Sequence, residues 1–267
     1  MPELPEVETV VRGLRPRLKD CVAGLAWVDW PKVLDGYNLT QFNKEVKGQA
    51  LKGIHRRGKY ICLALDTHYL VVHLRMTGRL YVSSNKTGDD KWVHFSLAIG
   101  DQQFLAFSDA RKFGRVTLTR SLDYLEEKLG PEPLPLPREA WLTLLSGTSR
   151  GIKAFLLDQK KLAGVGNIYA DEALHRTGVD PRRPVNELTP QERTNLGINI
   201  QDILAAAINY EGATISWYRK PDGTQGESQK HFKVYGKTGE PCSQCGNLIT
   251  RITVAQRSTH FCPTCQS

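Results

Sequence analysis

The apolar positions of this chain change their spacing twice. Val7, Val10, Val11, Leu14 and Leu18 recur every three or four residues, as on one face of a helix, and Pro16 is expected to end or kink that helix. From about residue 21 to 119 the pattern becomes short alternating runs, such as Ile61, Leu63, Leu65 and then Val93, Phe95, Leu97, Ile99, punctuated by glycines. Alternation is strand spacing, and many short strands predict a β-sandwich or barrel. Prolines at 131, 133, 135 and 137 then break helix and sheet alike, which puts a domain boundary near residue 130. Beyond it the segments 138–146, 151–158, 168–177 and 189–210 read as helices, separated by turns at Gly164-Val165-Gly166 and Gly178-Val179-Asp180-Pro181. The polar stretch 216–230 reads as a mobile loop.

Charge changes this picture more than composition does. The chain carries 36 Lys and Arg against 28 Asp and Glu, a net charge of +8, which favours a polyanionic partner. No apolar run approaches the roughly 18 residues that cross a bilayer, and the opening residues are acidic where a signal peptide is basic. The expectation is an intracellular, cytoplasmic protein without a membrane partner.

The cysteines supply the sharpest chemistry. Cys242-x2-Cys245 and Cys262-x2-Cys265 are two pairs on a segment too small to fold by itself, and four thiolates complete a tetrahedral zinc shell with no open position. The site is therefore predicted to be structural, holding one zinc ion per chain. Between the pairs a hairpin carries Arg257, suited to gripping a phosphate, and His260, expected on the hairpin surface. Asn167, after the Gly164-Val165-Gly166 turn, is placed to cap a helix whose free N–H groups favour a phosphate. In the β-rich half, basic clusters at His55-Arg56-Arg57-Gly58-Lys59, His73-Leu74-Arg75-Met76 and Arg111-Lys112-Phe113-Gly114-Arg115 place Met76 and Phe113 beside cations. Cations for phosphates and apolar wedges for a base stack are what a base-extruding protein needs, although each wedge taken singly reads as core.

Taken together, these segments resemble the bacterial formamidopyrimidine-DNA glycosylase family. The resemblance runs through Met1-Pro2-Glu3-Leu4-Pro5-Glu6-Val7-Glu8-Thr9, Arg57-Gly58-Lys59-Tyr60, His73-Leu74-Arg75-Met76-Thr77-Gly78, Asp109-Ala110-Arg111-Lys112-Phe113-Gly114, Leu129-Gly130-Pro131-Glu132-Pro133-Leu134, Gly164-Val165-Gly166-Asn167-Ile168-Tyr169 and Gln256-Arg257-Ser258-Thr259-His260-Phe261-Cys262, in order along the chain. It implies an α+β fold: an N-terminal β-sandwich with flanking helices (1–130), a helix-two-turn-helix domain with a lesion loop (131–235) and a β-hairpin zinc finger (236–267). It implies removal of oxidised purines from damaged double-stranded DNA by a monomer, with cleavage of the resulting abasic site. Pro2, exposed by loss of Met1, would be the nucleophile, Glu3 the general acid, Glu6 a positioning group, Lys59 a proton carrier, and Arg257 the finger arginine. Met76, Arg111 and Phe113 would fill the gap left by the extruded nucleotide. Lys153 and Asn167 would contact the backbone, with His73, His94 and Arg150 as further DNA contacts. The chain departs from the family at Ala110, Lys112, Trp92 and Ser149, where proline, arginine, histidine and a basic residue are common. An endonuclease VIII-like pyrimidine enzyme, whose opening has glycine at the place of Leu4, and a catalytically silent binder of damaged DNA are the competing readings.

Overall fold

A computed structural model describes the whole chain except Gly88, Asp89 and Asp101. It divides into two compact units, Met1–Glu126 with Tyr210–Gln229, and Glu127–Asn209 with Lys230–Ser267.

The first unit opens with helix α1 (Leu4–Leu18). Its start is fixed by a capping box, in which the Glu3 side chain accepts from the Glu6 N–H and the Glu6 carboxylate accepts from the Glu3 N–H at 2.8 Å. Pro5 sits in the first turn, where a missing N–H costs nothing, and Pro16 falls so late that the helix runs on to Leu18 and is not ended at residue 16. The face read from the sequence is the buried one: Val7, Val10, Val11, Leu14 and Leu18 are each at most 4% exposed.

Among the described residues nine strands follow: β1 (Ala23–Val28), β2 (Leu34–Asp35), β3 (Gly53–Arg57), β4 (Tyr60–Ala64), β5 (Tyr69–His73), β6 (Arg79–Ser83), β7 (Val93–Ile99), β8 (Phe104–Ser108) and β9 (Arg115–Thr119). They form a four-stranded sheet in the order β1-β7-β8-β6 and a five-stranded sheet in the order β2-β9-β5-β4-β3, antiparallel except for β2 with β9. One hydrophobic core takes residues from both sheets and from α1, including Leu14, Ile61, Leu63, Val72, Phe95 and Leu97, which makes the unit a sandwich. Helix α2 (Leu39–Val46) lies inside the stretch read as all strand. Its Asn38–Gln41 capping box is a local signal, but only Phe42 and Val46 are buried, too few positions to reveal a helical period.

Helix α3 (Asp123–Lys128) ends the first stretch. The second unit holds α4 (Arg138–Leu144), α5 (Ile152–Leu156), α6 (Asn167–Thr177), α7 (Pro190–Asn209) and the hairpin β10 (Thr250–Val254) and β11 (Arg257–Phe261). Trp141 of α4 is fully buried against Gly197 of α7, where any β-carbon would collide with the indole. The α7 start is a further capping box, Thr189 with Glu192, and Arg183 grips the same Glu192 carboxylate through both terminal guanidinium nitrogens at 2.7 Å. Among the described residues no helix is long and apolar enough to cross a membrane.

Candidate active site and zinc centre

The head of α1 carries three of the residues that the resemblance singled out, Pro2, Glu3 and Glu6, and the β3–β4 turn carries a fourth, Lys59. Pro2 is buried, and Glu3, Glu6 and Lys59 are 3%, 2% and 4% exposed. Burying ionisable groups costs several kcal/mol unless they are satisfied, so each needs partners inside the fold. Glu6 is held from two sides. One oxygen takes the Glu3 N–H and the other takes the Ala213 N–H at 2.7 Å, while the Tyr218 hydroxyl donates to the Glu6 carbonyl at 3.4 Å. Burial, with Glu6 next, pushes the Tyr218 phenol far above its ordinary range, so it stays a donor. The base of the 216–230 loop is thus tied to the residue that holds Glu3. The loop itself is pinned: Thr214 N–H donates to Gln229, Gln229 to the Gly226 carbonyl, and Gly226 N–H to the Thr214 hydroxyl.

Lys59 stands in the two-residue turn between β3 and β4, beside Gly58 in the left-handed region. Arg57, just before it, forks onto Glu126 at 3.0 and 2.9 Å, which fixes the strand end that delivers the lysine. His73 is nearly buried, its ring edge-on to Tyr60 at 4.5 Å and its Nδ1 accepting the Arg75 N–H.

Met76 and Phe113, at 43% and 47% exposed, are not core. Arg111 joins them, its guanidinium 3.1 Å from the Met76 sulfur and 4.7 Å from the Phe113 ring centroid. Sequence reasoning missed the group that holds this trio. Asp109, 2% exposed, accepts from the Thr77 hydroxyl and from the N–H groups of Arg111, Phe113 and Gly114. A β-carbon on Gly114 would collide with the Phe107 ring, so the chain passes close to the sheet there before projecting Phe113 outward. An Asp followed by several N–H groups on a turn is the local signal that could have found it.

Several expected DNA contacts are placed otherwise. Lys153 is fully buried; it pairs with fully buried Asp171 at 2.6 Å and donates to the Ser258 carbonyl at 3.1 Å and the Thr259 hydroxyl at 2.7 Å. Its ammonium faces the protein interior because Asp171 would otherwise be an uncompensated buried charge. His94 is 4% exposed and hydrogen-bonded to Asp29 at 2.8 Å. Asn167 is the first residue of α6 and not its cap, which is Gly166; the Asn167 amide donates across to the Ser258 carbonyl at 2.8 Å. His260 is 8% exposed, not on the hairpin surface, because its N–H and ring both meet the buried Asp171 carboxylate. Arg150 and Arg257 are exposed as expected, Arg150 leaning on Asp158 at 2.7 Å. Arg257 follows a tight turn in which Ala255 and Gln256 both have positive φ, and it opens β11.

The four cysteine sulfurs lie within 4.8 Å of one another, with Cys242–Cys265 at 3.9 Å and Cys245–Cys262 at 3.5 Å. A tetrahedron with Zn–S bonds of about 2.3 Å has edges of about 3.8 Å, so the set fits the metal. Cys242, Cys245, Cys262 and Cys265 hold one zinc ion, and with four protein ligands its task is to fold the finger.

Three family domains match in order: the formamidopyrimidine-DNA glycosylase N-terminal domain over residues 1–116, the formamidopyrimidine-DNA glycosylase H2TH domain over 129–219, and the zinc finger found in FPG and IleRS over 239–267. The chain is 44% identical to the formamidopyrimidine-DNA glycosylase of Chloroflexus aurantiacus, over all of this chain and 98% of that one. The chain belongs to the formamidopyrimidine-DNA glycosylase family. The Lactiplantibacillus plantarum member is 40% identical over 98% of both chains. Among solved structures, the Lactococcus lactis member in complex with abasic-site DNA superposes with a TM-score of 0.91 at 37% identity, over 99% of both chains. The same protein in complex with Fapy-dG DNA gives 0.90 at 37%, again over 99% of both. The family's layout of sandwich, helical domain and finger is the one described above.

Proposed function

We propose that this glycosylase removes oxidised purines, formamidopyrimidines and 8-oxoguanine among them, from duplex DNA and then cuts the abasic strand by successive β- and δ-elimination. The observation that carries the reading is the buried capping box at the head of α1, where Glu6 holds the Glu3 N–H and the Ala213 N–H with one carboxylate. Once Met1 is removed, the Pro2 nitrogen is a secondary amine fixed one residue from that box. Its lone pair attacks C1′, the C1′–N bond to the base breaks, and the base leaves with that electron pair and takes up a proton. Glu3 protonates the sugar ring oxygen as the ring opens. A secondary amine gives a charged iminium at C1′, an electron sink that acidifies the C2′ hydrogen. Loss of that proton expels the 3′ phosphate, and a second elimination expels the 5′ phosphate. Hydrolysis then returns Pro2. Lys59, buried beside a rigid turn, carries protons in the eliminations, and Arg257 grips a phosphate near the lesion. Met76, Arg111 and Phe113 fill the gap left by the extruded nucleotide, with His73, Arg150 and Asn167 as lesser contacts. The protein acts as a single chain on damaged duplex DNA, and the Lactococcus lactis complexes with abasic-site and Fapy-dG DNA support that partner.

The test is borohydride trapping on duplexes carrying 8-oxoguanine, formamidopyrimidine, thymine glycol or an abasic site, compared side by side. The expected adduct lies on Pro2 of a chain lacking Met1, with the purine lesions cut fastest. Preference for thymine glycol would give the endonuclease VIII-like reading, binding without cutting the silent one, and an adduct on Lys59 would refute Pro2 as nucleophile.

A further inference from the structure

Asn167, Asp171 and His175 are spaced four residues apart on α6, so they form one stripe along one face of the helix. Each member meets the finger. Asn167 donates to the Ser258 carbonyl at 2.8 Å, Asp171 accepts the His260 N–H at 2.9 Å, and His175 Nε2 lies 3.4 Å from Cys242 Sγ. His175 and Cys242 are 2% and 3% exposed. A metal-bound thiolate has no proton to give, so the ring nitrogen must be the donor.

We propose that His175 is a positioning residue of the zinc centre, donating its Nε2–H to the Cys242 thiolate and so joining the metal site to the helix that carries Asn167. Four thiolates around a dication leave a net charge of −2, which N–H donors offset where water has no access. Cys245 is exposed and Cys265 half-buried, so solvent can serve them, whereas Cys242 is enclosed. Its sulfur takes one N–H from within the finger, from Gln244 at 3.4 Å, and His175 brings a second from outside it. Through this contact, filling of the zinc site and seating of the finger on α6 become one event, and the same stripe ends at Asn167.

The unmodified zinc protein decides the donor directly. A long-range proton–nitrogen spectrum of the labelled imidazoles should show His175 protonated on Nε2 and not on Nδ1; the opposite tautomer would overturn the proposal. His175→Phe should then give up zinc to a chelator on the order of 10-fold faster or more. In cobalt-substituted protein it should also shift the thiolate-to-metal charge-transfer band. His175→Gln, which keeps an N–H donor, should recover part of both effects. A folded His175→Phe protein with unchanged release and an unchanged band would also overturn the proposal, and if that variant does not fold, the tautomer alone decides.

Discussion

Lys153→Met separates two incompatible accounts of one lysine. Resemblance puts Lys153 at the DNA backbone, but its ammonium is fully buried against Asp171, Ser258 and Thr259. Methionine keeps most of the side-chain volume and removes the charge, which leaves the Asp171 carboxylate buried with the His260 N–H and ring, among the described residues, to satisfy it. Breaking a buried ion pair from one side costs about 3–5 kcal/mol. For a unit of this size, 1 kcal/mol is worth roughly 4 °C of melting temperature, so the drop should be on the order of 10–20 °C. Lys153→Met with Asp171→Asn removes the stranded charge while keeping an acceptor for the His260 N–H, and should recover at least half of the loss. The assay is calorimetric melting of the zinc-loaded protein, paired with a salt titration of binding to an abasic-analogue duplex. A lysine on phosphate gives the opposite result: the single variant melts as the parent does, while the slope of log affinity against log salt falls by about 1. That outcome would refute the buried-pair account.

Two further perturbations follow from the same geometry. The Arg183 fork, ahead of the Thr189 hydrogen bonds, holds the Glu192 carboxyl down at about 2, below its unfolded value. A depressed carboxylate stabilises the fold above the unfolded pKa and loses that contribution as pH falls through the folded one, so the Arg183–Glu192 contribution should vanish between about pH 4.5 and 2. Because both side chains keep some contact with solvent, Glu192→Gln should cost only about 1 kcal/mol near neutral pH, with the two proteins converging near pH 2; a difference constant across pH would sink this. Met76→Ala and Phe113→Ala sit on exposed side chains and should leave stability within about 0.5 kcal/mol, yet slow lesion excision on the order of 10-fold while sparing cleavage at a preformed abasic site. Equal loss on both substrates would show that they do not serve extrusion.

What the sequence discloses here is local, and what it hides is pairing across long separations. The periods of α1, α6 and α7 and the alternation of the strands are short-range, and the two Cys-x2-Cys pairs announce their metal by spacing alone. Exposure of Met76 and Phe113, each of which taken singly reads in sequence as core, goes with Asp109 collecting N–H groups from the turn that follows it. The interior lysine shows this most clearly. Lys153 meets Ser258 and Thr259 more than 100 positions away, and a cation chosen to neutralise a buried Asp looks in sequence just like one chosen to meet a phosphate. Asn167 reads in sequence as a cap, whereas Gly166 takes that place and the Asn167 amide answers to Ser258, 91 positions away. The segment 210–229 belongs to the first unit although it follows the last helix of the second, and the hydrogen bonds that Glu6 makes with Ala213 and Tyr218, together with the place of Tyr218 in the first core, account for that return. Charge in this chain therefore divides into two kinds that share one alphabet. Arg111, Arg150 and Arg257 remain at the surface where a polyanion can reach them, while Lys153, Asp171 and Glu172 are spent inside, the last accepting the N–H groups of Lys233, Val234 and Tyr235. A net charge of +8 cannot tell these apart; burial does, and it assigns the interior set to holding the finger against α6.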